Sequence, residues 1–349
     1  MPLTHLASSA RAGMRALPAL RPSLALAVGL GLGLGLGLAH GARATASAAP
    51  ARPDPAQLSH RIAGGRSQHC VAPGETLLSI AARYGEPLSR LLSDNRLDAR
   101  ALLHPGRCLR IDNPHIVPAP APPDGVLIDI PQRMLFRWHH GELAAAYPVA
   151  VGRPDWPTPV GDFRVAQLRR DPTWYVPPSI QEEQRRKGEP VRREVPSGPD
   201  NPLGHSWIGL DLRGYGIHGT NAPASIYSFR THGCIRLQDD HATELFLAVQ
   251  PGTPVRIVYR TWLLAELPGG SLWLESDPDI YARSVRGDDL RQLQRLAELH
   301  GLQARIDWNL ARQVLSRKAG IAEPVDLAHA AMRQRGPCCA ASASAHPAS

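Results

Sequence analysis

The stretch Val126-Leu-Ile-Asp-Ile130-Pro-Gln-Arg-Met134-Leu-Phe-Arg-Trp138 decides the fold class. Each half is a short apolar run rich in β-formers, and the Pro-Gln-Arg between them is a turn, so the stretch reads as two strands. Working outward, Ala146 to Val151, Gly161 to Ala166, Trp207 to Leu212 and Val255 to Tyr259 give further runs of the same kind. The only convincing helix in this part of the chain is near Asp240–Val249. Many short strands with Pro and Gly turns predict a mainly β protein, with a β-sandwich or barrel-like domain over residues 124–260.

Composition bounds what surrounds that domain. The chain has 349 residues, of which 43% are hydrophobic and 20% charged, a globular balance. The formal net charge of +8 invites a nucleic-acid reading. Four of those charges (Arg11, Arg15, Arg21 and Arg43) fall in a leader without acids, which leaves +4 for the rest. That suits an envelope protein among anionic polymers and needs no nucleic acid. The leader, residues 1–48, has a basic start, an apolar stretch from Leu24 to Leu38, and small-residue cleavage sites at Ala42-Arg43-Ala44 and Ala46-Ser47-Ala48. It reads as a signal peptide. No cysteine precedes Cys70, so the leader carries no lipid-attachment site. Export to an oxidising compartment follows, in a bacterium the periplasm.

Residues 49–67 read as a flexible linker, and 113–123, with Pro118-Ala-Pro-Ala-Pro-Pro123, as a stiff extended one. Between them, residues 68–112 form a compact unit. His69 to Ala72 is strand-like, and Pro73-Gly-Glu-Thr76 is a turn ending in a helix N-cap. Leu77, Ile80, Ala81 and Tyr84 then share one helical face, closed by Gly85. Leu88, Leu91 and Leu92 mark a second helix stopped near Asn95, and Pro105-Gly106 leads into a strand from Cys108 to Ile111. The order is strand, helix, helix, strand. Residues 261–335 read as a helical region: Leu290, Leu293, Leu296 and Ala297 share a face, and Asp307 is an N-cap for a helix carrying Leu310, Val314 and Leu315. Residues 336–349, with Cys338 and Cys339, read as a disordered tail.

The chemistry concentrates in Gly214-Tyr-Gly-Ile-His218-Gly-Thr220 and Thr231-His-Gly-Cys234-Ile-Arg-Leu237. A thiol attacks as thiolate, and a neighbouring imidazole takes its proton and stabilises the ion pair. His232 shares the cysteine's face of a strand but lies alongside it, whereas His218, from another strand end, can approach head-on. The unhindered Gly233-Cys234 peptide lets backbone amides converge on an oxyanion. Packing alone explains many Cys–His neighbours, and a metal site of His218, His232, Cys234 and His241 stays open on these residues, although the second Cys-x-x-Cys half of zinc scaffolds is missing.

Residues 68–112, with Pro-Gly-Glu-Thr-Leu77, Ser-Ile-Ala81, Tyr-Gly85, Asn95 and Leu-His-Pro-Gly106, resemble a LysM domain. That resemblance implies binding to glycan strands containing N-acetylglucosamine. Val71 and Leu109 face its core, so Cys70 and Cys108 point to the outer face of two pairing strands and are expected to form a disulfide. His218-Gly-Thr-Asn221, Pro223-x-Ser-Ile226 and Thr231-His-Gly-Cys-Ile-Arg-Leu237 resemble the signature of YkuD-type L,D-transpeptidases, and upstream motifs from Thr158 and Asp171 extend the resemblance over residues 126–259. The resemblance implies Cys234 as nucleophile, His218 as general base and the Gly219 carbonyl as the group that orients the imidazole. It also implies oxyanion amides from His232, Gly233 and Cys234, and a substrate-side Arg236, with Thr220, Thr231 and Tyr227 around the substrate. Members often have Gly where Tyr227 stands, which predicts a narrowed loop over the site. Thr231 replaces the commoner Ser and keeps its hydroxyl.

The implied substrates are peptidoglycan stem peptides. The cysteine would attack the L-centre carbonyl of the third stem residue and release D-Ala. The acyl group would pass to an amine, from a second stem (a 3→3 cross-link) or from an envelope lipoprotein. Segment 170–205 would act as a lid that selects the acceptor. Carbapenems are expected as inhibitors, and no metal or organic cofactor is expected. The rivals are a hydrolase with the same Cys–His pair and a non-catalytic LysM wall binder.

Overall fold

The computed structural model describes residues 57–284 and 288–329. The expected signal peptide and the tail with Cys338 and Cys339 lie outside the described residues. Chain order begins with β1 (Ile62–Ala63), β2 (Arg66–Cys70), α1 (Leu77–Tyr84), α2 (Leu88–Asp94), β3 (Cys108–Asp112) and β4 (His115–Ile116). α1 starts in a capping box: the Thr76 hydroxyl accepts from the Ser79 amide, and the Ser79 hydroxyl accepts from the Thr76 amide. It ends at Gly85, in the left-handed conformation with φ 67°. β2 and β3 are antiparallel, with Cys70 directly opposite Cys108 and the two joined by a disulfide. Val71, Leu77, Ile80, Ala81, Leu91, Leu109 and Ile111 fill the core of this unit.

The two linkers depart from expectation. β1 pairs with β4, the buried Leu58 packs into the C-terminal core, and Ser59 bonds through its amide to the Leu264 carbonyl at 2.9 Å. Ile116 and Val117 are buried as well. The described part of 49–67 and the first residues of 113–123 are therefore structural, because their few apolar residues find an apolar surface to cover.

The central domain follows with β5 (Gly125–Asp129), β6 (Met134–His139), β7 (Glu142–Pro148), β8 (Val151–Gly152), β9 (Gly161–Arg170), β10 (Trp174–Tyr175), α3 (Pro178–Lys187), β11 (Glu194–Val195), β12 (Ser206–Leu210), β13 (Gly216–His218), β14 (Phe229–Thr231), β15 (Ile235–Arg236), α4 (Asp239–Ala248) and β16 (Pro254–Val258). Eight of these strands form one sheet in the order β15-β13-β12-β9-β16-β5-β6-β7. It is antiparallel except where β13 meets β15 and β5 meets β16. Val126 and Ile128 of β5 face a core that includes Leu135, Ile208, Ile217 and Ile235 and is covered by Ala242 and Leu245 of α4. Leu127 joins Phe136, Trp138 and Val258 in a second cluster. Burial on both faces explains why β5 is an unbroken apolar run rather than an alternating one.

The C-terminal part adds β17 (Trp262–Glu266), β18 (Leu272–Ser276), α5 (Asp289–Leu299), α6 (Trp308–Arg317) and β19 (Glu323–Pro324). Asp307 caps α6 through its carboxylate, which accepts from the Asn309 and Leu310 amides. Beyond the two helices expected for 261–335, the region holds a three-stranded sheet, β17-β18-β19. β17 and β18 are a hairpin of apolar runs around Pro268-Gly-Gly270, and they supply the surface that α5 and α6 cover. Among the described residues no helix is long and apolar enough to cross a membrane.

Candidate active site

The site lies at the β13–β15 edge of the eight-stranded sheet. Parallel pairing sets Ile217 against Ile235 and His218 against Arg236. Ile217 and Ile235 are fully buried in the main core. Alternation therefore sends His218, Arg236 and the preceding Cys234 to the other face of the sheet. Gly216, the strand neighbour of Cys234 by continuation of this register, leaves room there, and a Cβ on it would meet the Trp207 ring at 2.7 Å. Trp207 pairs with His218 across β12 and β13 and stacks on its ring at 5.8 Å.

His218 is 4% exposed, and its Nδ1 lies 2.7 Å from the Gly219 carbonyl. A carbonyl only accepts, so Nδ1 carries the proton and the neutral ring keeps its lone pair on Nε2. Burial, helped by the Arg236 charge, pushes the imidazole pKa down to about 3. Burial pushes the half-buried Cys234 thiol up, against a hydrogen bond from the Gly216 amide and the attraction of Arg236. Both shifts favour the uncharged forms, thiol and imidazole, over the ion pair expected from sequence. The Gly219 position admits no side chain, since a Cβ would sit 2.1 Å from the Asp239 carboxylate.

The loop before Cys234 is pinned from both sides. The Gly233 amide donates to Thr231 Oγ1 at 3.1 Å, the Thr231 hydroxyl donates to the Cys234 carbonyl, and the Gly233 carbonyl accepts from Thr158 Oγ1 at 2.9 Å. The Gly233 amide is thus spent inside the loop, which corrects its expected role as an oxyanion donor. In a trans peptide N–H and C=O point oppositely, so anchoring the Gly233 carbonyl on Thr158 aims the Cys234 amide the other way. Gly233 itself needs φ +101°, and a Cβ there would meet the Tyr215 ring at 2.8 Å.

Other expected residues are placed differently. The His232 ring bonds Glu183 of α3 at 2.6 Å and meets Trp156 edge-on, which takes it away from the sulfur. Thr220 is buried, and its hydroxyl accepts from the Ala222 amide at 3.0 Å. Arg236 donates from Nη1 to Ser225 Oγ at 3.0 Å. Tyr227 does not overhang the site. Its hydroxyl donates to the Gly320 carbonyl at 2.7 Å, and the Arg133 guanidinium lies 4.0 Å above its ring. Its φ of +58° lies in the left-handed region that suits glycine. The four residues of the alternative metal site do not converge: among the described residues the only grouping with metal-ligand spacing is Asp124, His139 and His140, on the surface.

Sequence reasoning missed Glu183, Thr158, Trp207 and Tyr281. Glu183 also binds Arg153 at 3.0 Å and Lys187 at 2.7 Å. Tyr281, from the C-terminal part, donates to the Gly152 carbonyl at 2.6 Å and accepts from the Thr158 amide at 3.1 Å. Thr158 opens one of the upstream motifs and Trp207 a strand run, but no spacing rule links positions so far apart in the chain to Cys234.

A model of the L,D-transpeptidase catalytic domain, of YkuD type, matches residues 123–257, and a LysM domain model matches residues 69–112. The probable L,D-transpeptidase YcfS of Escherichia coli K12 is 31% identical over 278 residues, 76% of this chain and 85% of that protein. This chain belongs to the L,D-transpeptidase family. It is an enzyme of that class with a LysM domain ahead of the catalytic domain. The probable L,D-transpeptidase ErfK/SrfK of the same organism is 30% identical, over 72% of this enzyme and 82% of that protein. Among solved structures, the catalytic domain from the E. faecium L,D-transpeptidase acylated by ertapenem is 26% identical, with a TM-score of 0.30 over 38% of this enzyme and 97% of that chain.

Proposed function

We propose that the enzyme forms a thioester on Cys234 with a peptidoglycan tetrapeptide stem and passes the acyl group to an amine. The observation that carries this reading is the His218 ring, buried on the sheet face that Cys234 shares and fixed by Gly219 in the tautomer whose Nε2 can accept a proton. As the sulfur attacks the L-centre carbonyl of the third stem residue, the thiol proton passes to Nε2 of His218. The oxyanion is met by backbone amides at His232 and Cys234. The C–N bond to the terminal D-Ala then breaks, and its nitrogen leaves with the proton that His218 carries. An amine attacks the thioester, and its proton returns through His218 to the sulfur. The amine belongs to a second stem, giving a 3→3 cross-link, or to a lysine of an envelope lipoprotein.

Neutral reactants suit this chemistry. Charge is absent at rest and develops during attack, where the Cys234 amide and the Arg236 guanidinium are already oriented. The LysM domain holds the enzyme on glycan strands, and the chain works exported, in the periplasm against the wall. Carbapenems acylate Cys234 by the same attack.

The test is incubation with purified tetrapeptide muropeptides followed by mass analysis. Release of D-Ala with new dimers or lipoprotein–stem adducts is expected, and none of these from Cys234→Ala. Shortened monomers alone would replace the transferase reading with a hydrolase.

A further inference from the structure

The LysM domain is packed against the catalytic loop. Helix α1 lies on the short turn Pro223–Ser225. Ala82 of α1 is buried together with Ala150 and Ile226, three small or branched residues that let the two backbones approach closely. One residue on, Arg83 forms an ion pair with Asp240 in the first turn of α4. At the end of the helix, Gly85 fits against Pro148 and Met134 of the central domain, and its carbonyl lies 2.9 Å from the ring of His115.

The loop that receives this contact reaches the reacting groups in one step. Ser225, beside Ile226, donates its hydroxyl proton to the Ala222 carbonyl at 2.6 Å and so turns its lone pairs toward Arg236, which donates to it at 3.0 Å. Gln238 ties the same turn down through a bond to the Pro223 carbonyl at 3.2 Å. Arg236 stands opposite His218 in the strand register and two residues from Cys234. Its Nε is buried without a hydrogen-bond partner, and among the described residues Ser225 is the side chain hydrogen-bonded to this guanidinium.

We infer that helix α1 of the LysM domain acts, through Ile226 and Ser225, as the positioning support of Arg236, so that the glycan-binding domain is part of the active-site framework and not only an anchor. Ala82 and Ser225 are positioning residues in this scheme, since neither touches the reacting atoms. The inference rests on the proposed Cys234 chemistry. The guanidinium lowers the pKa of both His218 and Cys234, so its displacement changes how the rate depends on pH as well as the rate itself.

The experiment uses the full chain and a small soluble substrate, a glycan-free tetrapeptide, so that wall binding cannot contribute. Ala82→Glu drives a charge between α1 and Ile226. Arg83→Glu, on the more exposed rim, sets like charges against Asp240 and leaves the LysM core untouched. Ser225→Ala removes the hydroxyl alone. Binding of a chitin oligosaccharide reports whether the LysM domain of each variant is folded. We expect kcat to fall about tenfold in Ala82→Glu and Ser225→Ala, less in Arg83→Glu, with KM little changed. The acid limb of the rate profile should move to higher pH in Ser225→Ala as well as in Ala82→Glu, and in the former the loss of one hydroxyl leaves the burial of His218 intact. The Ala82→Glu/Ser225→Ala double variant should be no slower than the worse single one, because both act along one path. Wild-type kcat and pH profile in oligosaccharide-binding Ala82→Glu would overturn the inference. If Ala82→Glu no longer binds the oligosaccharide, Arg83→Glu decides on the same terms. Persistence of turnover in Cys234→Ala would instead sink the chemistry on which the inference stands.

Discussion

Gly233 sits between two threonines, with its amide on Thr231 and its carbonyl on Thr158. The positive φ that this requires is open to glycine, and the Tyr215 ring leaves no room for a methyl group. Gly233→Ala is therefore expected to destabilise the protein by about 1–3 kcal/mol and to slow thioester formation by at least about tenfold. Chemical unfolding and a stopped acylation assay measure the two effects. His218 carries a second prediction. Because burial and Arg236 hold its pKa near 3, the base stays unprotonated through the mildly acidic range. The acylation rate should lose no activity to imidazole protonation between pH 7 and pH 5, whereas a fall centred on the ordinary imidazole value of 6.5 would show an exposed base. Tyr227 supplies a contrast: Tyr227→Phe loses the bond to Gly320, worth about 0.5–1.5 kcal/mol, and should leave acylation unchanged.

At the scale of elements, α3 is tied to the catalytic loop by one carboxylate. Glu183 receives Arg153, Lys187 and His232, and these partners, Arg153 first, hold its pKa well below the ordinary value of 4.5. The clamp is therefore complete above that value and is lost only as the pH falls well below it. Glu183→Ala leaves three basic side chains facing one another. It should lower kcat about tenfold and raise backbone exchange along 178–187, and unchanged exchange there would show that the clamp holds nothing. Such an element exposes what a sequence can carry. The helices α1, α5 and α6 were legible because cap and periodicity are local, as at Thr76, Gly85 and Asp307. His218 and Cys234 stood out in the sequence because both sit in short, spaced motifs. Glu183 was not, since nothing in Gln181-Glu-Glu-Gln184 tells which acid turns inward. The β17–β18 hairpin was overlooked because the helical periodicity that follows it dominated the reading of that region.

Across the whole molecule, three parts meet at His115. This fully buried ring bonds Glu275 of β18 at 2.7 Å and the Gly85 carbonyl of the LysM domain, and it meets Tyr227 of the catalytic loop edge-on. Burial opposes its charge, yet the Glu275 carboxylate keeps its pKa above the ordinary 6.5. A raised pKa gives stability that is complete below 6.5 and declines as the pH rises through the folded-state value. Urea midpoints should accordingly fall from pH 6 to pH 9 in the native chain. His115→Ala should lose about 3–5 kcal/mol by removing the imidazole that faces the buried Glu275, which keeps only the Ile116 amide and Gln132, and much of the pH dependence with it. No linker reading could have anticipated this junction, because residues 113–117 look like spacer until the surface they cover is known.

Intact-protein mass measurement after mixing with a carbapenem or a tetrapeptide stem, followed by peptide mapping, tests the central claim most directly. The account predicts a single acyl adduct on Cys234, formed far more slowly in His218→Ala and absent from Cys234→Ala. An adduct on another residue, or one that forms at the native rate without the His218 imidazole, would contradict it.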